Sequence, residues 1–220
     1  MGSESLILGF DTSAAHCAAA LLRGDHVVAE AVQHMPTGQA EQLMPMIGDL
    51  LREAGLRWQD VARIGVGIGP GNFTGVRISV AAARGLALAL NVPAIGVSSF
   101  DALAEGQGAP VLAAVDARRG QCHLRDSRTA DDAAVTVALP PDGPGETLPF
   151  AQTRLDVVGH EAAILARITG GAARPARYPL AVAIARIAAR ASLPQPRPAP
   201  MYLRAADAVR TADPPPVIGA

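Results

Sequence analysis

The pattern of hydrophobic and polar residues predicts an alternation of strands and helices. Three apolar runs of strand length open the chain and are separated by turn residues, which predicts an antiparallel meander: Leu6–Phe10, Cys17–Leu22 and Val27–Val32. Apolar residues at helical spacing then predict a helix over Gln39–Ala54. A strand at Ile64–Ile68, a helix at Val76–Leu90, a strand at Ala94–Val97 and a short helix at Phe100–Glu105 follow. This order predicts an α/β fold with a mixed sheet, whose sites lie at the carboxyl ends of strands.

A strand, an aspartate and a hairpin recur in the second part of the chain. Val111–Val115 predicts a strand, Asp116 follows it, and Gln121–Arg125 predicts the return strand. The recurrence indicates a degenerate internal duplication. A further strand at Leu155–Gly159 and helices at Glu161–Ile168 and Leu180–Ala191 complete this part. We therefore predict two halves, residues 1–106 and 107–212, and a disordered tail at residues 213–220, which contains three consecutive prolines.

Composition excludes several classes of protein. Half of the 220 residues are hydrophobic and 18% are charged, so the chain can bury enough apolar surface to fold. The net charge of −1 gives no electrostatic footprint for an independent nucleic-acid binder. The two cysteines, Cys17 and Cys122, are far apart, which argues against a disulfide framework. The start lacks a signal-peptide pattern, and Arg84 breaks the longest apolar stretch, so we expect a cytoplasmic protein without a membrane span.

Two segments are candidates for a phosphate site. Asp11, Thr12 and Ser13 end the first strand, where a carboxylate and two hydroxyls could hold a metal-bound phosphate. The glycine-rich Gly69–Gly75 leads into a helix, and Thr74 could cap it so that free N–H groups face an anion or a partner. The alternative for both segments is a tight turn without a ligand. The candidate residues of this site, which is vestigial if the chain is no enzyme, are Asp11, Thr12, Ser13, Gly71, Asn72, Thr74 and Asp116.

Other catalytic signatures are missing from the sequence. The five histidines show no His-x3-His or His-x4-His spacing, so no metal site can be read from them. No Gly-x-Ser-x-Gly segment supports a hydrolase triad. Asp116 would face Asp11 across a cleft if the chain were a kinase-like enzyme, whereas the alternative is a surface turn. We predict no catalytic residues and no metal.

Several blocks of the sequence resemble the bacterial TsaB (YeaZ) family, a subunit that serves in making threonylcarbamoyladenosine on tRNA. They are LILGFDTS, AEQLMPMI, GVGIGPGNFTGVRISVAAARGLALALNVPAIGVSSFDALA, AVDARRGQ and the late MYLR. The resemblance is dense over residues 6–120 and thin over residues 125–195. It implies the actin/Hsp70-like ATPase (ASKHA) fold with two RNase-H-like halves, the second truncated.

The resemblance also bears on catalysis and partners. The family's catalytic paralogue, TsaD, carries a His-x3-His metal motif after the fifth strand, and the matching positions here are Ser99 and Leu103. Neither side chain replaces an imidazole on a metal. The resemblance therefore implies a non-catalytic subunit that pairs with a TsaD homologue and works with a TsaE homologue. It implies indirect contact with tRNA, no cofactor of its own, ATP or ADP at the interface of the complex, and self-association when alone.

The first two helices are the interface candidates. Their wide apolar stripe and small residues suit a helix–helix contact with another chain, and the alternative is packing on the chain's own sheet. In the family these helices contact TsaD. The candidate residues are Gln39, Gln42, Leu43, Met46, Ile47 and Leu50 on the first helix, and Arg77, Val80, Ala81 and Arg84 on the second.

Two other functions compete with this interpretation. A free-standing ATP-dependent phosphotransferase of the same fold would use Asp11 and Asp116 as metal-side carboxylates and the glycine-rich turn for phosphate. The second half is short for such an enzyme, which needs an adenosine pocket. A metallopeptidase would need paired histidines, which the sequence lacks.

Overall fold

The first half of the chain forms a five-stranded mixed sheet. The computed structural model describes residues 5–139 and 149–203. The strands are β1 (Leu6–Asp11), β2 (His16–Arg23), β3 (His26–His34), β4 (Val61–Gly67) and β5 (Ala94–Val97). They lie in the order β3-β2-β1-β4-β5. The meander is antiparallel, as the sequence predicts, and β4 and β5 add parallel strands on the other side of β1.

The second half forms another five-stranded sheet with the same plan. Its strands are β6 (Val111–Arg118), β7 (Gln121–Asp126), β8 (Val135–Ala138), β9 (Asp156–Gly159) and β10 (Ala173–Arg174). The order β8-β7-β6-β9-β10, with an antiparallel meander and two parallel strands, repeats that of the first sheet. The repeat confirms the predicted α/β ASKHA-like fold built of two RNase-H-like halves. The sequence prediction missed β8 and β10.

Five α-helices cover the two sheets in the described part of the chain. They are α1 (Gln39–Glu53), α2 (Phe73–Leu90), α3 (Ser99–Ala104), α4 (Ala162–Thr169) and α5 (Leu180–Arg190). Short 3-10 turns occupy Trp58–Asp60 and Asp131–Ala133. Helix α2 begins three residues earlier than predicted. The sequence also predicts a loop at residues 140–145. This loop, the predicted tail at 213–220 and Arg204 of the MYLR block lie outside the described residues.

Strand β1 shows how the first core is divided. Leu6, Leu8 and Phe10 face α1 and α2, whereas Ile7 faces α5 in a second cluster. This division follows from the two-residue period of a strand, which sends alternate side chains to opposite faces. A sheet buried on both faces therefore needs a continuous apolar run, and LILGF supplies it.

Helix α5 packs on the first sheet although it lies late in the chain. Gly9 and Gly65 are paired neighbours on β1 and β4. A Cβ on Gly9 would lie 2.4 Å from the Ala181 carbonyl oxygen, and one on Gly65 would lie 2.8 Å from the Ala188 Cβ. The two glycines therefore make the flat surface on which α5 rests.

Helix α3 makes the opposite crossing. It belongs to residues 1–106 in sequence, but its Phe100 packs with Val111 and Val158 of the second sheet. The two halves thus exchange helices. The domain boundary between residues 106 and 107 stays a prediction. It separates the strands of the two sheets, but each sheet is covered in part by a helix from beyond that boundary.

Candidate functional site

The strand-end residues and the glycine-rich turn lie together, as the sequence predicts. The Thr12 hydroxyl donates to the Gly75 carbonyl at 2.6 Å, and the Asn72 N–H donates to the Ser13 carbonyl at 2.6 Å. A Cβ on Gly71 would lie 2.5 Å from the Ser13 oxygen, and a Cβ on Gly75 would lie 1.9 Å from the Thr12 oxygen. The two backbones are in direct contact, and this close approach is what requires glycine in the turn.

The Asp11 carboxylate points into this packed region and is only 1% exposed. Its Oδ1 accepts hydrogen bonds from the Ser13 N–H and hydroxyl, each at 2.8 Å, and lies 3.0 Å from His16 Nε2. Its Oδ2 is buried without a hydrogen-bond partner among the described residues. A Cβ on Gly67 would lie 1.8 Å from Oδ2. That oxygen therefore packs against the backbone of β4 and faces no open space.

Asn72, and not Thr74, caps helix α2. The Asn72 side-chain oxygen accepts from the Thr74 N–H at 3.0 Å and from the Gly75 N–H at 3.4 Å. These are N–H groups that an anion at the helix start would use. The side chains of Thr12, Ser13 and Asn72 are all engaged in hydrogen bonds within the chain. The geometry favours the tight-turn alternative, and the phosphate site stays a prediction.

Asp116 occupies the sixth position of β6, as Asp11 does in β1, but it is exposed. Its Oδ1 accepts from the Arg118 N–H at 2.7 Å and lies 3.8 Å from His160 Nε2. Within residues 5–139 and 149–203, no hydrogen bond joins Asp116 to Asp11, and no group of three or more His, Cys, Asp and Glu side chains is placed to hold a metal. The facing carboxylates of a kinase-like cleft gain no support.

Most of the candidate interface residues on α1 lie in the chain's own core. The Gln39 side chain is buried and donates to the Met35 carbonyl at 3.2 Å, and Gln42 is half-buried. The apolar candidates, all fully or nearly buried against the first sheet, are Leu43, Met46, Ile47 and Leu50. Their assignment to a partner surface is wrong, because these side chains cover β1 and β2 of the chain's own sheet. Charged substitutions at Met46 or Leu50 would unfold the chain rather than test a partner.

Helix α2 does present an open face. Val80 is buried, but Arg77, Ala81 and Arg84 are exposed. Two of these are engaged by the chain's own later segment, since Arg77 Nε donates to the Tyr202 hydroxyl at 2.8 Å and Arg84 Nε to the Pro198 carbonyl at 2.7 Å.

Further along α2 the open face is made of small and apolar residues. Leu88 is 85% exposed, and a Cβ on Gly85 would meet no atom within 4 Å. With Ala81 and Ala89 these residues form an exposed stripe, called here the α2 face. The sequence analysis made this helix an interface candidate because of its small residues, but it did not include Gly85 and Leu88 among the candidate residues. Apolar residues lie all around the helix, which is more than packing on one sheet requires.

By length and composition alone, α2 is long and apolar enough to cross a membrane, and 28% of it is buried. One such helix is weak evidence for a span, because the core helices of soluble proteins pass the same test. The exposure of much of α2 is more informative. An apolar helix with this much open surface is expected to be covered by another apolar surface.

Comparisons with known proteins agree with this fold. The YeaZ structure from Pseudomonas aeruginosa superposes with a TM-score of 0.66 at 28% identity, covering 90% of this chain and all of that chain. The TsaB proteins of Escherichia coli and Bacillus subtilis are each 39% identical over 122 and 123 residues. These likenesses support the TsaB/YeaZ family for this chain. A family profile described as TsaD, tRNA N6-adenosine threonylcarbamoyltransferase, also matches residues 36–139.

The match to the curated TsaB proteins is partial in length. It covers 53% of this chain, and the chain spans about half the length of these relatives, 52% in both the E. coli and B. subtilis proteins. The part that matches the TsaD profile contains α1, α2, α3 and three strands of the second sheet, β6, β7 and β8.

In this chain, the positions matched to the histidines of TsaD have packing roles. The Ser99 hydroxyl donates to the Pro70 carbonyl at 2.9 Å and so ties the start of α3 to the glycine-rich turn. Leu103 packs beside Phe100 in the cluster that joins α3 to the second sheet. Each side chain already has a structural role that an imidazole ligand would disturb.

Proposed function

We propose that this chain is the non-catalytic subunit of the complex that makes N6-threonylcarbamoyladenosine in the anticodon loop of tRNA. It binds and activates a TsaD-like catalytic subunit and helps to dock a TsaE-like ATPase. The observation that supports the proposal is the exposed α2 face. The similar proteins of E. coli and B. subtilis are named tRNA threonylcarbamoyladenosine biosynthesis proteins.

The α2 face suits a helix of another chain. Ala81, Gly85 and Ala89 recur every four residues, so they lie in one row and allow a neighbouring helix to approach closely. Leu88 beside this row would then be buried, which contributes about 1.5–3 kcal/mol. On α1, Met44 is the large apolar residue that remains exposed. These residues replace the buried α1 stripe as the expected contact.

The proposed mechanism is indirect. The TsaD-like subunit would carry the metal and transfer the threonylcarbamoyl group from its adenylate to adenosine, with AMP as the leaving group. This chain would hold that subunit in its active conformation. Ser99 and Leu103 offer no imidazole for a metal of this chain's own. ATP or ADP would bind at the interface of the complex and not in the capped turn at Asn72. The chain would work in the cytoplasm, contact tRNA mainly through its partners, and use the same face for a homodimer when alone.

The test is pairing with the TsaD homologue of the source organism. We expect co-expression to give a heterodimer that co-elutes in gel filtration. Leu88→Glu and Gly85→Arg should each weaken it at least about tenfold, because a charge would be buried unpaired between two helices. The matched control is Val32→Glu, at another exposed apolar residue on the edge strand β3.

Thermal melting separates binding from folding in this test. All three variants should melt near the wild-type temperature, because their side chains face solvent in this chain. Unchanged co-elution of Leu88→Glu and Gly85→Arg with the TsaD homologue would contradict the assignment of the α2 face. Failure of the wild-type chain to pair at all would contradict the proposed function itself.

A further inference from the structure

Two aromatic rings and an arginine form an exposed cluster at the start of helix α2. The ring centroids of Phe73 and Tyr202 are 5.0 Å apart, and the rings are tilted by 34°. The Arg77 guanidinium carbon lies 3.7 Å from the Phe73 ring centroid, and Arg77 Nε donates to the Tyr202 hydroxyl at 2.8 Å. Phe73 is 38% exposed and Tyr202 is 44% exposed. The three side chains hold one another in place while both rings remain open to solvent.

This exposure is unusual in a chain with seven aromatic residues. Phe10 and Phe100 are fully buried, and Trp58, Phe150 and Tyr178 are half-buried. The two remaining aromatic residues, Phe73 and Tyr202, are exposed, and they lie next to each other. An aromatic pair left in water stabilises the fold less than a buried pair, so its position points to something that binds there.

A purely structural role explains the cluster only in part. Tyr202 could serve as an anchor for the segment that follows α5. That segment is already fastened by the Met201 N–H donating to the Ile68 carbonyl at 2.8 Å and by the bond of Arg84 to Pro198. The Arg77–Tyr202 bond accounts for the tyrosine hydroxyl. It does not account for two open rings.

The chemistry of the cluster fits a nucleotide. An unpaired base stacks on exposed aromatic side chains and on guanidinium planes, and rigid rings lose little entropy when it does so. Arg77 uses Nε for Tyr202, and its two terminal nitrogens have no hydrogen-bond partner among the described residues, so they can donate to a phosphate. We propose that the Phe73–Arg77–Tyr202 cluster binds an unpaired nucleobase together with its phosphate.

The place of the cluster makes it compatible with a partner on the same helix. Phe73 lies twelve positions before Gly85, roughly 18 Å along the helix at 1.5 Å per residue. A bound nucleotide would therefore lie at the end of the α2 face and leave its centre free. Base stacking does not need an excess of basic residues, so the net charge of −1 is no obstacle. That the nucleotide belongs to an RNA loop rests on the proposed function, whereas the stacking site itself does not.

The full chain can be tested for binding by fluorescence anisotropy with a labelled 12-nucleotide single-stranded RNA and with the duplex of the same sequence. We expect the single strand to bind more tightly. Phe73→Leu and Tyr202→Leu should each weaken that binding about tenfold, because each removes a stacking ring. Tyr202→Phe keeps the ring and should stay within about twofold of the wild type. Arg77→Gln should weaken binding and should reduce the slope of log affinity against log salt concentration by about one. The control Arg52→Gln changes an arginine that is exposed on α1.

Competition with AMP distinguishes the two sources of the nucleotide. AMP that displaces the RNA only at concentrations at least about a hundredfold above the RNA dissociation constant assigns the site to RNA. Equal potency assigns it to a free nucleotide. Duplex binding as tight as single-strand binding, or Phe73→Leu and Tyr202→Leu binding like the wild type, would overturn the proposal. Pairing of these variants with the TsaD homologue is measured separately, so loss of RNA binding leaves the heterodimer result intact.

Discussion

The two halves of the molecule share a strand plan but differ in how much they build on it. The first sheet has strands of four to nine residues and carries α1 and α2, which have 15 and 18 residues. The second sheet has strands of two to eight residues, and its largest own helix, α4, has eight. The same strand order therefore supports two different structures. The first half builds an open helical face, and the second half is a smaller scaffold.

The aspartates at matching strand ends teach the same lesson at the level of single residues. Asp11 lies under the glycine-rich turn and is buried, whereas Asp116 lies beside the open turn between β6 and β7 and is exposed. The strands are alike, so the difference comes from the loop that covers each strand end. A strand-end carboxylate is therefore evidence of a site only when its covering loop leaves room for a ligand.

The largest expected effect concerns the surface on which α5 rests. Gly9→Val should lower the free energy of unfolding by about 3 kcal/mol or more, because its side chain would overlap the backbone of α5. Urea unfolding of the isolated chain measures this. The matched control is Gly85→Ala on α2, where the space is open and a better helix former should raise stability by about 0.5–1 kcal/mol. A Gly9→Val chain as stable as the wild type would mean that α5 does not pack on β1.

A smaller effect should appear in the second half at low pH. Hydrogen bonds from Arg128 lower the pKa of the Asp126 carboxyl. A lowered pKa in the folded state means that stability is present above the carboxyl's ordinary pKa of about 3.9 and is lost as the pH falls through the lowered value. Asp126→Asn should therefore cost about 1 kcal/mol at pH 7 and little near pH 2.

The control for this pH effect comes from the first half. Asp49→Asn removes an exposed surface pair with Arg52, which is expected to change stability little at either pH. Urea unfolding at both pH values measures the two variants. A loss for Asp126→Asn that is equal at pH 7 and pH 2 would show that its carboxylate charge is not the source of the stability.

The smallest effect concerns two cysteines at equivalent places, the second residues of β2 and β7. Burial, with help from Asp116, raises the pKa of the Cys122 thiol to about 12, and burial also raises the pKa of Cys17. The thiolate is the reactive form, so iodoacetamide at pH 8 should label neither cysteine in the folded chain. Both should react in urea. Mass spectrometry that finds Cys122 labelled in the folded chain would contradict its burial.

Sequence patterns could predict much of the fold because strong periodicity marks most elements. The apolar run of β1 and the stripe of α1 were correctly predicted as elements. Periodicity cannot say what covers a stripe, however, and so Leu43 and Ile47 were assigned to a partner when they cover the chain's own sheet. Strand β8, at Val135–Ala138, was missed because it is short and, unlike the equally short β5, does not lie between two predicted helices.

Contacts between distant parts of the chain were harder to predict. Nothing local in Leu180–Arg190 indicates that this helix rests on β1, although the glycines at positions 9 and 65 are a signal that something approaches these strands closely. The Phe73–Arg77–Tyr202 cluster joins residues about 125 positions apart. For the candidate site, sequence patterns grouped the end of β1 with the glycine-rich turn, but they could not show that backbone contact between Thr12 and Gly75 fills the space between the two segments.

The exchange of α3 and α5 also has a consequence for synthesis on the ribosome. Strand β1 is made first, but the helix that covers its far face is translated about 170 residues later, which takes roughly 9–34 s at 5–20 residues per second. Throughout that time Ile7, Ala18, Ala20 and Leu22 have no helix to cover them. A nascent chain of this protein therefore exposes the apolar far face of its first sheet until α5 has been made.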